Sequence, residues 1–471
     1  MPLKLKYLLL FACFALPVIH ASAQQTDTLT VNASEKYIIG DIIISGNKKT
    51  KKTIIERELP FAAGERYSAS ELAGKMETAR RQLMNIALFN HVLVAVKDFD
   101  GNKVNLLVEV KERWYLFPAP YFKPADRNLN QWLVEQKGSF DRVNYGAKLT
   151  WNNATGYNDK FRLWLITGYT RQFSFSYDRP YINRNMKWGV NTSFSSGKNR
   201  ELNYETVNDK QLFLKDPDQY VRHFTNAHVA LTYRKAIKTK HSFGIAFTSE
   251  KVTDTIVSLN PGYFKPGYKS VGYPSLFYTM TYYDLDYIPY PIKGYAAQVS
   301  VSKNGLNKNI NLWQLHVKGL GSWLLWPKTF LQLNTYGGIK VPFRQPYFNR
   351  RFLGYGDVYL QGYEYNVIDG VAGGYIKSAF CHELLNMRMR LPRGKDKPDV
   401  IVPFRVIGKI YGNTGYVYNP DEGNNRLSNK MLYTGGIGLD IVTLYDIVVR
   451  LEWSFNQLGQ NDLFLHRKGF F

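Results

Sequence analysis

Arg142-Val143-Asn144-Tyr145-Gly146-Ala147-Lys148-Leu149-Thr150-Trp151 alternates without a break. Val, Tyr, Ala, Leu and Trp share one face, while Arg, Asn, Gly, Lys and Thr share the other. Successive side chains of a strand point to opposite faces, so this is a strand with one apolar and one polar side. The pattern returns in Phe173-Ser174-Phe175-Ser176-Tyr177-Asp178, in His228-Val229-Ala230-Leu231-Thr232-Tyr233-Arg234 and in Tyr295-Ala296-Ala297-Gln298-Val299-Ser300-Val301. It comes once more in Val448-Val449-Arg450-Leu451-Glu452-Trp453-Ser454-Phe455-Asn456. Sixteen strands are read between 142 and 471, the fifth of them around 206–214. Tyr169-Thr170, Pro327-Lys328 and Leu444-Tyr445 are very short connections, whereas 251–274, 342–370 and 416–430 are long. Short turns at one end and long loops at the other, with strands of about ten residues, predict an antiparallel barrel in lipid rather than a soluble sandwich.

Composition agrees. Of 471 residues, 45% are hydrophobic and 21% charged, which excludes a disordered chain, and the 15% aromatic content suits a pleated surface. Cys13 and Cys381 are the only cysteines, so a disulfide framework and a cysteine-rich metal site are excluded. Residues 1–23 read as an export signal. Lys4 and Lys6 precede the apolar run 7–19, and Ala21-Ser22-Ala23 is an A-x-A cleavage site. Lipidation at Cys13 is the alternative, and the bulky Phe11 and the apolar run continuing past the cysteine argue against it. The chain is strongly basic, with a formal charge of +23. An exported protein seldom meets nucleic acid, which leaves anionic lipid head groups, an acidic client, a cation-lined lumen, or charge spread over loops for solubility.

Ahead of the barrel, residues 24–36 read as a polar linker and 37–112 as a small α/β domain. An Ile-rich strand over 37–45 stops at Gly46-Asn47, a turn signal. Thr50 is a plausible N-cap for a short helix ending before Pro60. Ser68 and Glu71 form a capping box for an amphipathic helix over 70–88. Two further strands flank Asp100-Gly101, a hairpin signal. The run Gly46-Asn47, Thr50, Ile55, Arg57-Glu58-Leu59, Gly64, Leu83, Leu88-Phe89, Val92, Val96, Val108, Val110 and Glu112 resembles a POTRA domain, the periplasmic module of outer-membrane assembly and translocation proteins. Residues 113–141 are then a connector.

The region 142–471 also resembles the barrel of the BamA/TamA/FhaC family. Phe352-Leu353-Gly354-Tyr355-Gly356, followed by Leu360-Gln361-Gly362-Tyr363, is similar to that family's sixth-loop motif, where Gln361 stands for an arginine. Tyr411-Gly412-Asn413-Thr414-Gly415 is similar to a strand motif in which Asn413 stands for an aspartate, and Glu383 matches a further family acid. The resemblance implies that the arginine and the aspartate meet inside the barrel. Both being replaced predicts a neutral pair in which Gln361 and Asn413 hydrogen-bond each other, with Glu383 as a further lumen partner. Leu463, Leu465 and Phe471 fit an outward-facing last strand, on which Arg467 is a misfit unless it lies near the head groups.

Phosphate loops, H-E-x-x-H and G-x-S-x-G motifs are missing from the sequence, and the histidines do not cluster at ligand spacing. The expectation is no enzyme and no cofactor. The resemblance implies a location in the outer membrane of a Gram-negative bacterium, with the POTRA domain in the periplasm. It also implies a role in inserting or translocating other polypeptides by strand addition, at the POTRA edge and at the seam between 142–151 and 462–471. Expected partners are outer-membrane lipid or lipopolysaccharide, unfolded polypeptide clients and accessory lipoproteins, with no nucleic acid. A passive pore with a basic, anion-favouring lumen is the alternative, and a surface protein presenting its loops is a third. A folded barrel resists mild SDS, so unheated and heated samples should migrate differently on a gel. Helix-dominated circular dichroism would overturn the barrel.

Overall fold

The computed structural model describes residues 36–124, 137, 139–140, 143–306, 310–391 and 400–466. The predicted signal, Cys13, Arg467 and Phe471 lie outside them. The N-terminal domain runs β1 (Lys36–Ser45), α1 (Lys52–Arg57), β2 (Arg66–Ser68), α2 (Ala69–Asn85), β3 (Phe89–Asp100) and β4 (Lys103–Glu112). Its sheet has the order β2-β1-β4-β3, with β1 parallel to β4. Ile39, Ile55, Leu83, Phe89, Val104, Leu106 and Val108 fill the space between sheet and helices. The Ser68–Glu71 capping box forms at the start of α2. Thr50 does not cap α1, which begins after Lys51. The Thr50 and Lys49 backbone N–H groups instead donate to the Glu112 carboxylate, at 2.6 Å and 3.0 Å.

The second sheet begins with β5 (Leu116–Pro124), β6 (Val143–Asn152), β7 (Lys160–Gly168), β8 (Thr170–Arg179) and β9 (Trp188–Asn199). A separate hairpin follows, β10 (Glu201–Val207) and β11 (Lys210–Lys215). The sheet resumes with β12 (Arg222–Tyr233), β13 (Thr239–Val252), β14 (Ser270–Leu285), β15 (Gly294–Asn304), β16 (Leu312–Trp326) and β17 (Thr329–Val341). After a small pair, β18 (Arg351–Leu353) and β19 (Ile368–Asp369), it closes with β20 (Ala372–Leu391), β21 (Val400–Tyr418), β22 (Met431–Thr443), β23 (Ile447–Asn456) and β24 (Asn461–His466). Sixteen of these strands form one antiparallel meander from β5 to β24. Ile245, Ile410 and Ile437 stand 61%, 65% and 57% exposed on its outer face, while Gln332, Asn413, Asp440 and Glu452 are buried on its inner face. That inversion of an ordinary soluble protein is the arrangement of a barrel in lipid.

Three expectations are corrected. The barrel starts at Leu116, inside the stretch 113–141 read as a connector. Pro118, Pro120 and Pro124 disguise β5, because proline is tolerated in a sheet only where its missing N–H faces no partner. The Asn152 N–H donates to the Tyr115 carbonyl at 2.8 Å, so odd-numbered residues of this ladder face β6 and the three prolines face away. Residues 206–214 form the β10–β11 hairpin and not a barrel strand. Asn208 and Asp209 at positive φ make its tight turn, and its alternation packs against loop residues such as Tyr347. With β5 gained and this strand lost, the count stays at sixteen. Tyr169, finally, lies at the same end as the long loops, because the added β5 reverses the direction of β6 to β9, and the loss of the 206–214 strand restores it from β12 on.

The N-terminal domain sits across the other end of the barrel, touching five of its connections. Lys51 N–H donates to Gly156 O (3.0 Å), and Asn153 Nδ2 to Thr50 Oγ1 (2.9 Å). Arg57 donates to Met186 O and Arg234 O, both at 2.8 Å. Asn85 accepts from the Ile288 N–H (3.0 Å), and Arg113 pairs with Asp446 (2.6 Å). At the centre, Glu58 is 1% exposed and takes two donors from Arg234, at 2.5 Å and 3.0 Å, plus the Tyr181 hydroxyl at 3.3 Å. Burial pushes the Tyr115 phenol up to about 12, so it stays protonated and donates to Leu88 O at the root of the linker to β5. Arg234→Ala leaves the buried Glu58 carboxylate with only Arg57 at 3.5 Å and the Tyr181 hydroxyl at 3.3 Å, an effect of up to about 3 kcal/mol. It should release the domain from the rim, seen as faster proteolysis between 113 and 115, while Lys328→Ala on an uninvolved turn should not.

Candidate functional site

The long connection between β17 and β20 folds back into the barrel and places Gln361 in the lumen. Gln361 Nε2 donates to Glu452 Oε1 at 2.6 Å. Glu452 is fully buried on β23, and the same oxygen accepts from Lys409 Nζ at 2.6 Å. Lys409 also pairs with Asp440 at 2.6 Å, and Asp440 accepts from the Tyr290 hydroxyl at 2.9 Å. On the other side of Glu452, His466 Nε2 lies 3.5 Å from its Oε2 and 3.2 Å from Glu364 Oε1. One buried carboxylate thus joins the loop, β21 and the last strand.

The ladder explains how Lys409 reaches Glu452 across an intervening strand. Lys409 stands opposite Gly438 on β22, and Gly438 stands opposite Glu452. A Cβ at 438 would lie 2.9 Å from Lys409 Cε and 3.3 Å from Glu452 Cγ, so the absent side chain is the path of the ion pair.

Gln361 and Asn413 line one cavity of about 370 Å³, but the predicted amide–amide bond is not made. Asn413 Nδ2 donates to Thr434 Oγ1 at 2.9 Å instead. The matched-pair expectation fails because a carboxylate is within reach: Gln361 takes the charged acceptor, which gives the stronger hydrogen bond. Glu383 takes no part either, since it pairs with Arg405 at 2.7 Å beside the short 327–328 turn, where its N–H meets Lys328 O. Gly362 donates to Glu364 Oε2 (2.8 Å) and accepts from Asn456 Nδ2 (2.7 Å). Tyr363 is buried among Phe352, Leu360, Val417 and Leu432. In the N-terminal domain Gly46 has φ +83°, and a Cβ there would meet Val110 O at 1.9 Å; Asn47 Nδ2 donates to Thr50 O at 3.0 Å. This turn carries Lys51 and Thr50 to the barrel rim.

The residues that sequence reasoning missed, Glu452, Lys409, Asp440 and His466, all sit at inward positions of alternating strands. Their signal was opposite charges on the polar face of neighbouring strands. Glu364, Glu452 and His466 bring ligand atoms within 4.8 Å of one another. Gln361 and Lys409 already occupy one Glu452 oxygen, and the imidazole faces both carboxylates, so the cluster reads as an ion-pair network. The loop also grips β24 through rings, with Tyr365 5.4 Å from Phe464 and Tyr359 5.0 Å from His466.

Comparison with known proteins adds to this geometry. Residues 37–113 match the POTRA family, described as a surface antigen variable number repeat. An outer membrane protein assembly factor BamA of Neorickettsia risticii (strain Illinois) is 36% identical over 99 residues, 21% of this chain and 13% of that protein. The chain therefore spans only a small part of the length of that relative. BamA from Haemophilus ducreyi lacking POTRA domains 1–3 has the same fold over 92% of this chain and 84% of that one, with a TM-score of 0.51 at 14% identity. CdiB from Acinetobacter baumannii aligns over 92% of this chain and 73% of its own, with a TM-score of 0.49 at 12% identity. The chain carries a POTRA domain at 37–113, and its barrel has the fold of the Haemophilus ducreyi BamA structure. It belongs to the outer membrane of a Gram-negative bacterium, with its POTRA domain in the periplasm. The rim under that domain is periplasmic, and the long loops face outward.

Glu452→Ala should undock the sixth loop, because it removes the acceptor of Gln361 and one partner of a buried lysine, at a cost of about 3–5 kcal/mol. Gly438→Val should do the same by blocking the path of Lys409. Gln361→Arg should keep the loop docked, since Glu452 accepts a guanidinium equally well. Protease sensitivity of 342–371 in the folded barrel, with the denaturant midpoint, measures all three.

Proposed function

We propose that this protein assists the insertion or translocation of other polypeptides across the outer membrane by strand addition, first at the POTRA edge and then at the barrel seam. The observation that carries this reading is the hydrogen-bonding character of the seam. Among the described residues no ladder joins β5 to β24, and the seam edge of β5 is poor in donors. Its outward-facing backbone positions are 116, 118, 120, 122 and 124, and three of those five are proline. Such an edge offers carbonyls but few N–H groups. It can hold an incoming strand through one bond of each pair, which favours capture followed by release over permanent pairing. The described part of β24 pairs with β23 over six residues. In the POTRA domain β3 is an edge strand of twelve residues, on which Leu93 and Phe99 are exposed.

The passive-pore alternative is less well supported, because the sixth loop occupies the lumen and the POTRA domain lies over the periplasmic mouth. No chemical step and no cofactor belong to this reading, and burial of apolar client strands in lipid supplies the driving force. Depletion followed by outer-membrane proteomics tests it. Loss of other barrels or of secreted proteins is expected, whereas an unchanged proteome with lowered anion uptake would overturn it. Pro118→Ala with Pro120→Ala restores two seam donors, each giving about 0.5–1.5 kcal/mol if bonded. The double variant should unfold at a higher temperature in SDS and process clients more slowly.

A further inference from the structure

Four basic side chains form a registered row on the lipid-facing wall at the outer end of the barrel. Arg171 of β8 stands directly opposite Lys198 of β9, Lys198 opposite His223 of β12, and His223 opposite Lys251 of β13. They share the outward face with Phe173, Phe194, Val229 and Phe247, which are 39–50% exposed. Among the described residues none of the four pairs with a carboxylate. Tyr220 sits in their midst: its ring lies 5.7 Å from the Arg171 guanidinium, 4.2 Å from Lys198 Nζ and 5.3 Å from the Arg200 guanidinium. Its ring centre is 6.5 Å from that of His223, and its buried hydroxyl has no hydrogen-bond partner. Like charges directly opposite one another destabilise a sheet. Arg171 and Lys198 stand so, and with Lys251 they face no carboxylate among the described residues, which suits the row to an external anion.

The depth of the row says which anion. The next outward row towards the periplasm is hydroxylic, with Ser196 and Thr225 bonded at 3.0 Å and Ser249 beyond them. Below it come Phe194 and Phe247, then Thr192, Val229, Ile245 and Leu276, all facing outward. The periplasmic edge of this wall is the ring row Trp188, Tyr233 and His241. Ten residues separate Lys198 from Trp188, His223 from Tyr233 and Lys251 from His241. At about 3.4 Å per residue and a tilt of about 40°, that rises roughly 26 Å, the height of the apolar band of such barrels. The basic row therefore lies at the head-group level of the outer leaflet. Around its Arg171–Lys198–His223 part the wall carries a shallow, open groove, lined also by Leu165, Phe173 and Phe194.

We propose that this row and groove form a binding site for a phosphorylated outer-leaflet glycolipid, its phosphates on Arg171, Lys198, His223 and Lys251 and an acyl chain in the groove. Guanidinium and ammonium groups fit phosphate oxygens through charge-assisted hydrogen bonds, and the groove fits an apolar tail; only an amphiphile satisfies both. A soluble anion would use the row alone. The site lies on the wall formed by β7, β8, β9, β12 and β13, so a bound lipid would brace the strands that follow the seam strand β5 and β6.

The test uses the full-length protein in dodecyl maltoside, read by native mass spectrometry with bis-phosphorylated lipid A as probe. Wild type should retain lipid A. Arg171→Gln, Lys198→Gln and Lys251→Gln combined should weaken retention by about a hundredfold, since each basic group near an anionic lipid gives roughly fivefold. Lys328→Gln on a periplasmic turn should leave it unchanged, and heat-dependent gel mobility confirms that each variant is folded. Dephosphorylated lipid A should bind as weakly to wild type as lipid A does to the triple variant. The proposal is overturned if the folded triple variant retains lipid A within about threefold of wild type. It is equally overturned if dephosphorylated lipid A binds as well, or if inorganic phosphate alone displaces the lipid.

Discussion

A β-sheet in a bilayer has no water to satisfy its edges, so every N–H that faces lipid unpaired carries the full cost of desolvation. The whole architecture answers that constraint. Fifteen antiparallel ladders satisfy the sixteen strands along their length, and the remaining seam between β5 and β24 is where closure is incomplete among the described residues. The prolines of β5 reduce the cost there by removing the donors, not by pairing them. A barrel sealed by a full ladder would be more stable and less able to exchange strands.

With the seam weakly zipped, the last strand needs another hold, and the lumen provides it. Glu452 collects Gln361 from the loop and Lys409 from β21, and it lies beside His466 on β24. Burial of this carboxylate is offset at Oε1, which takes both Gln361 and Lys409, while His466 Nε2 stands 3.5 Å from Oε2. Loop docking and seam integrity are therefore parts of one network. Drawing the loop out would release β24 from its lumen side, where Tyr359 and Tyr365 also hold it.

The POTRA domain completes the arrangement from below. It meets the turns at 153–159, 180–187, 234–238, 286–293 and 444–446, so it is fixed to both halves of the barrel and not hinged from one strand. Asp446 is the contact nearest the seam, adjoining Tyr445, whose ring packs 5.5 Å from Phe117 of β5. Docking of the domain and the position of the seam strand are thus mechanically linked through Arg113 and Asp446.

Much of this was legible in the residues themselves. Strict alternation identified most of the strands, Ser68 and Glu71 the start of α2, and Gly46-Asn47 the turn that ends β1. These are local facts, set by the period of a strand or by a cap three residues away. The proline-rich β5 was not legible, because whether a proline is tolerated depends on which side of the strand has a neighbour. The hairpin at 206–214 alternates like a barrel strand, and only its packing against the loops distinguishes it. The partner of Gln361 was likewise out of reach. Glu452 lies 91 positions away, and its meeting with Lys409 depends on a glycine on a third strand. The basic row has the same origin, since Arg171, Lys198, His223 and Lys251 are unremarkable singly and align only through ladder register. Periodicity and capping are properties of neighbouring residues, which the sequence by itself determines. Register, docking and charge compensation join residues tens to hundreds of positions apart, and only the closed tertiary structure decides which of them meet.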